Sequence, residues 1–316
     1  MRFYLPLFLA LSTSAFAQDG ARAQDGLTPT DVLPMGRFTA NARLVMALGE
    51  GTLDSGPASL DGDIRQFLAV FEAAAGLGMG FEIEAQIPVA FSSELSFEES
   101  GVEFTEESKG LGDLTLGANY AIIQQKGDEP QLIIGAFILI PTGDDDPSEP
   151  EITGAGIFDQ PGEEGGIGDG AFGYGGQIGI SKRFGSVEPY FVFRYFVHGE
   201  SDVDDIETDH ADVASLIFGM EIHGGDQVTI DLRVWADLRG EEVEEDDLGN
   251  ESTEEKHASY GFQGRVFLAL GSQVAIVAGV GISAVEDHAI SEEANFDLTD
   301  TWVFGAEFGL HIVFGK

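Results

Sequence analysis

In the stretch QVTIDLRVWADLR, residues 227–239, every even position from Val228 to Leu238 is apolar. The odd positions hold Thr229, Asp231, Arg233, Trp235, Asp237 and Arg239, most of them polar or charged. A period of two predicts a long strand whose two faces meet unlike surroundings. The same alternation, or a short continuous apolar run, recurs along the chain. It predicts twelve strands, at roughly 37–49, 64–76, 79–92, 111–125, 130–141, 170–183, 187–199, 211–223, 226–239, 258–270, 273–285 and 301–314. These are about twice the ~5–6 residues of an ordinary strand.

The connections alternate between two kinds. Short turns such as GLGMG, QKGDEP, RFGSVE, HGGDQ and LGSQ take turns with the long segments 50–63, 93–110, 142–169, 199–210, 240–257 and 286–300. The long segments hold most of the 56 Asp and Glu residues. Strict alternation places every long loop at one end of the sheet, as in a transmembrane barrel with short periplasmic turns and long outer loops. The last strand supports this: Trp302, Phe304, Ala306, Phe308, Leu310, Ile312 and Phe314 share one face, with aromatics at both ends of an apolar band. The expected fold is therefore all-β, an antiparallel up-and-down transmembrane barrel of about twelve strands. A secreted β-sandwich also alternates, but it would need strand length, strand parity and loop alternation to coincide by chance.

Composition narrows the function. The chain has 316 residues, 43 of them Gly, a net charge of −41 and no Cys. Disulfides and thiolate metal sites are excluded, and so strong an acidity argues against nucleic acid as a partner. MRFYLPLFLALSTSAFA reads as a signal peptide, residues 1–17, with a second small-x-small site ending at Ala23. Segment 18–35 reads as an irregular periplasmic leader and 36–316 as the barrel, which places the protein in the bacterial outer membrane with lipid as a partner. The apolar stretch 132–141 is too short for a spanning helix and the right length for a spanning strand.

Two adjacent stretches carry a motif. KGLGDLTLGANYAII (109–123) is followed, after a turn, by LIIGAFILIPTGDDD (132–146). This pairing resembles the phenol meta-pathway (MetA-type) outer-membrane transporter family, through Gly110, Gly112, Asp113, Leu116, Gly117, Tyr120, Pro141, Thr142, Gly143 and Asp144. The resemblance implies a barrel that passes small molecules, in some members linked to aromatic-compound breakdown. It supplies no substrate for this chain.

Strand phase predicts an inward polar set that includes Arg43, Glu84, Asp113, Arg194, Glu221, Asp231, Arg233, Asp237, Arg239, Arg265 and Glu307. Such a set either filters solutes at a constriction or braces the wall from inside. Arg43 and Glu307 lie near the middle of the first and last strands and are expected to meet where the barrel closes. In strand 187–199 both faces hold aromatics; Arg194 must face water, which turns Phe191, Phe193, Tyr195 and Val197 to lipid. His257-x-Ser259 has the spacing of some outer-membrane acyl hydrolases, but both residues turn inward and no Asn follows, so no enzyme is expected. GDGAFG (168–173) opens a strand where a dinucleotide site needs a helix. No His pair has metal-ligand spacing, and no cofactor or metal site is expected. The acidic loops read as solvated faces; divalent cations are their alternative ligand, although none has EF-hand spacing. The expected function is passive passage of small solutes. The alternative is a closed structural or surface-interaction barrel with cation-attracting loops.

Overall fold

The computed structural model describes residues 30, 32–55, 58–99, 102–126, 129–143, 151–154, 167–168, 170–203, 206–225, 227–246, 251–291 and 296–315. The expected signal peptide and most of the leader lie outside them. Twelve strands form the wall: β1 (Phe38–Ser55), β2 (Ala58–Gly78), β3 (Phe81–Glu99), β4 (Leu114–Ile123), β5 (Gln131–Ile140), β6 (Gly173–Ser181), β7 (Val187–His198), β8 (Val213–His223), β9 (Val228–Arg239), β10 (His257–Ala269), β11 (Val274–Val285) and β12 (Phe296–Phe314). Each pairs antiparallel with its neighbours in chain order, and β12 pairs with β1 from Phe38↔Phe314 to Asp54↔Asp297. The barrel is closed, so its wall has no unpaired edge.

The two faces separate as the alternation predicts. On β9, Val234 and Leu238 are exposed outward, whereas Asp231, Arg233 and Trp235 are buried inside. On β7, Tyr195 is exposed and Arg194 donates from Nε to Gln177 Oε1 at 2.9 Å inside the barrel. Trp302, Phe304, Phe308, Leu310 and Phe314 all lie on the outer face of β12. So continuous an apolar exterior suits lipid and would aggregate in water. Arg65 points outward on β2, 57 % exposed, beside Asp63 and Glu94. The Phe67–Phe91 ring pair, 5.2 Å between centroids, sits one step below it toward the turns. That change from aromatic to charged marks the outer edge of the apolar band.

Where they are described, the long segments hold more strand than solvated loops would. β1 and β2 continue to Ser55↔Ala58, so most of 50–63 is strand. β3 runs on to Glu99 and pairs there with Val102–Leu111. Short strands Glu200–Val203, Ile206–Asp209, Glu242–Asp246 and Glu251–Glu254 form a separate four-stranded sheet outside the wall. The physical reason is residual alternation: Leu53, Ile64, Leu95, Phe97, Leu298 and Val303 pack together inside this extension. The intervening acids, such as Asp63 and Glu94, turn outward.

Candidate functional site: the barrel interior

The interior carries polar arcs around the wall and, on β1–β3, an apolar cluster beside them. Arg43 Nη1 donates to Glu307 Oε2 at 2.8 Å across the β1–β12 seam, and Nη2 donates to Glu72 Oε1 at 2.7 Å. Arg265 from β10 meets the same Glu307. Gln263 Nε2 donates to Glu307 Oε1 at 3.4 Å, and Gln263 Oε1 accepts from Arg233 Nε at 2.7 Å. Asp231 stands opposite Arg265 in the β9–β10 register and accepts the Tyr190 hydroxyl at 2.7 Å. Three guanidinia thus face three carboxylates, so this arc carries no net charge. A second arc runs along β3 to β7. Glu82 Oε1 accepts from Asn119 Nδ2 at 3.4 Å, Asn119 Oδ1 accepts from Gln177 Nε2 at 2.5 Å, and Gln177 accepts from Arg194.

Three inward glycines make these arcs continuous. A Cβ on Gly279 of β11 would stand 2.6 Å from Glu307 Oε1 and 3.0 Å from Arg265 Cγ. Gly135 of β5 lies under the Asn119–Gln177 bond in the same way, and Gly219 of β8 lies under Tyr190. Each missing side chain lets residues on flanking strands bond across the strand between them. The polar groups therefore run around the wall, strand to strand.

The other expected interior residues sit at the margins. Glu84 packs over Gly117. Glu221 is buried, 3.6 Å from His223 Nε2. Asp237 lies between Ser215 and Ser259 in the register, and Arg239 bonds Glu242 at 2.8 Å at the mouth. There, His210 and Arg239 hold the Glu242 carboxyl at about 2, against the upward push of burial. His257 faces Glu254 and stacks on His288.

Sequence pattern gives no sign of the apolar cluster. Val45, Leu68, Val70 and Ala90 cluster inside β1–β3 with Ile167 against them. A hydrogen bond from Gln66 to Ser93, 3.3 Å, separates this cluster from the apolar group in the extension above. Because β1 and β2 are apolar on both faces here, phase alone reads them as lipid-facing runs. Near the short turns, Thr30, Leu33 and Pro34 lie against inward positions of the wall. Leu33 N donates to Glu82 Oε2 at 2.8 Å, the carbonyls of Leu33 and Pro34 lie over inward Gly76, and Thr30 lies over inward Gly179. Thr30 and Leu33 are buried.

The motif residues form a clasp between β4 and β5. Asp113 Oδ1 accepts from Thr142 N at 3.0 Å and Gly143 N at 2.8 Å, while Thr142 Oγ1 accepts from Leu114 N at 3.0 Å. A Cβ on Gly143 would stand 2.8 Å from Gly168 Cα and from Leu111 O, which explains the requirement for Gly. Gly110 has φ +128°, a backbone conformation that favours Gly, and Gly112 N donates to Pro88 O at 2.9 Å. Tyr120 packs against Phe81 on the lipid face, with ring centroids 4.5 Å apart and the planes tilted by 33°, and Pro141 follows the end of β5. Asp144 lies outside the described residues. Asp113, expected to line the lumen, serves this clasp.

Among solved structures, the chain is similar to the COG4313 outer membrane channel from Pseudomonas putida F1, with a TM-score of 0.62 and 12 % identity over 90 % of this chain and 98 % of that one. It is similar more loosely, at a TM-score of 0.46, to the translocator domain of autotransporter NalP from Neisseria meningitidis, with 11 % identity over 91 % of each chain. The CymD monoaromatic hydrocarbon channel also matches at 0.46, with 12 % identity over 90 % of each chain. No curated protein matches the sequence. Residues 43–160, which span most of the first five wall strands and run on into the segment after them, match the model of the family described as "Putative MetA-pathway of phenol degradation", so the segment that holds the clasp motif is similar to that family.

Proposed function

We propose that the barrel is a passive outer-membrane channel for small solutes, with apolar molecules of about the size of one aromatic ring as the substrate class. The observation that carries this reading is the apolar inner face of β1–β3. It extends from Leu53 and Leu95 in the extension to Leu68 and Val70 at mid-wall, interrupted only by the Gln66–Ser93 pair. These side chains are packed closed in the structure; an apolar solute passing along them exchanges one apolar contact for another, whereas a water-filled porin gains nothing from such a lining. The family description, which names phenol degradation, and the likeness to an outer membrane channel of Pseudomonas putida support the same reading.

The polar arcs pair their charges within the wall and leave little net charge at mid-depth. The acidic mouth then sets any ionic preference, toward cations. A second reading has its own support. Arg43 is fully buried and Leu33 bonds Glu82 near the short turns, both of which favour a closed structural barrel. The test is uptake of a radiolabelled monocyclic aromatic by cells expressing the protein, compared with Leu68→Asn and Val70→Thr variants that insert normally. Uptake should fall several-fold in the variants. Equal uptake by wild type, variants and cells lacking the protein would leave only the structural barrel.

A further inference from the structure

We propose that Glu254, His257 and His288 bind a transition ion of the Zn2+ class, which ties the β9–β10 connection to the β11–β12 connection at the outer mouth. Sequence spacing pairs no histidines, because these two stand in different connections; the fold stacks their rings 3.9 Å apart at 19°. Glu254 Oε1 lies 3.1 Å from His257 Nδ1 and 3.3 Å from His288 Nε2. The Glu254–His288 separation approaches the roughly 3.3–3.5 Å edge between ligand atoms around a tetrahedral ion with ~2.0–2.2 Å bonds; His257 Nδ1 also lies 3.2 Å from the Glu255 carbonyl, so His257 ligates either through Nδ1 or through the unpartnered Nε2. All three donors fall within 4.8 Å of one another.

Burial makes the cluster unlike a surface acidic patch. The side chains of Glu254, His257 and His288 are 8 %, 0 % and 1 % exposed. Glu254 Oε1, His257 Nε2 and His288 Nε2 are buried with no hydrogen-bond partner, an arrangement that costs free energy unless something supplies the missing contact. His288 Nδ1 faces the Glu286 carbonyl at 2.8 Å. As a donor there, it leaves Nε2 with the lone pair a metal needs. Protonating both rings would place two cations face to face against one carboxylate. A divalent ion held at the ring edges, through one nitrogen of each neutral ring, avoids that repulsion.

The frame is already set. Glu255 N donates to Ala289 O at 2.9 Å, and Glu255 Oε2 accepts from Ala289 N at 3.4 Å, so both connections are joined next to the donors. Two imidazoles, one carboxylate and no thiolate suit Zn2+, Ni2+ or Cu2+ better than Ca2+ or Mg2+. A three-ligand set leaves one position for water.

The test uses the refolded full chain, stripped with chelator and titrated with Zn2+, with Co2+ as a spectroscopic probe. Excess Mg2+ and about 0.5 M NaCl suppress diffuse attraction to the acidic chain. One equivalent should saturate, Co2+ should give visible tetrahedral bands, and bound Zn2+ should slow proteolysis within 240–257. His257→Ala and His288→Ala should each weaken binding by at least the ~10–100-fold that lesser changes around metal sites cost. Glu254→Gln, which preserves shape, guards against a folding artefact and should weaken binding too. Binding that survives all three substitutions, or vanishes under Mg2+ and salt, overturns the proposal.

Discussion

Replacing Glu307 with Ala removes the shared acceptor of the seam. Glu307 takes a hydrogen bond from Arg43 at 2.8 Å, meets Arg265, and accepts from Gln263 at 3.4 Å. The Arg43 and Glu307 side chains are both 0 % exposed. Without Glu307, two buried guanidinia lose a carboxylate, and the balanced arc gains one net positive charge. Breaking a buried pair from one side costs about 3–5 kcal/mol, whereas a hydrated surface pair is worth about 0–1 kcal/mol. Glu307→Gln keeps an acceptor and should cost about half as much, near the ~1.5–3 kcal/mol of a hydrogen bond to a charged group. Arg43→Met with Glu307→Leu should cost less than the sum of its parts. The assay is reversible urea unfolding in lipid vesicles, followed by fluorescence. Trp235, buried inside, and Trp302, on the lipid face, report the two environments. A loss below about 1 kcal/mol for Glu307→Ala would mean that water reaches this depth and would refute the packed seam.

Gly219→Ala puts a methyl group where the Tyr190 ring lies. It should cost about 1–3 kcal/mol and break the Tyr190–Asp231 hydrogen bond, visible as a changed Tyr signal in the same vesicles. Glu106 stands opposite Leu95 beside the apolar extension, and burial pushes its carboxyl up to about 7. The folded state holds that proton more tightly, so the contribution is full below about pH 4.5 and is lost as pH rises through about 7. Proteolysis of the extension should therefore quicken over that window in wild type but not in Glu106→Gln; equal pH profiles would remove Glu106 as the cause. A bilayer-depth quencher should reach a label at position 193, since Arg194 fixes the phase of β7; a water-quenched label would reverse that strand.

Wall strands were legible because lipid outside and polar groups inside impose a period of two with charged markers. Arg194 decides β7 and Arg233 decides β9. The Arg43–Glu307 contact could be anticipated because closure must join the first and last strands. The outer extension was not, since its acids resemble loop residues until Leu53, Leu95 and Phe97 are seen to share an interior. Val45, Leu68 and Val70 were missed for the opposite reason: a strand apolar on both faces gives no phase. The Asp113 clasp shows that a motif can be correctly noticed and its role misread. Its carboxylate satisfies two backbone donors at a turn and leaves the lumen to other residues. His257 and His288 meet through the pairing of distant segments, which local spacing does not encode.

Whether the barrel conducts is tested most directly by single-channel recording of the refolded protein, with and without residues 30–35. Leu33 bonds Glu82 inside the turn end, so the intact chain should show a small conductance that rises when the segment is removed. Under a salt gradient the reversal potential should indicate weak cation preference, fading as ionic strength rises and the Debye length shrinks below ~8–10 Å. Silence in both forms would contradict the channel, and strong anion preference would put the inner Arg residues in control of permeation.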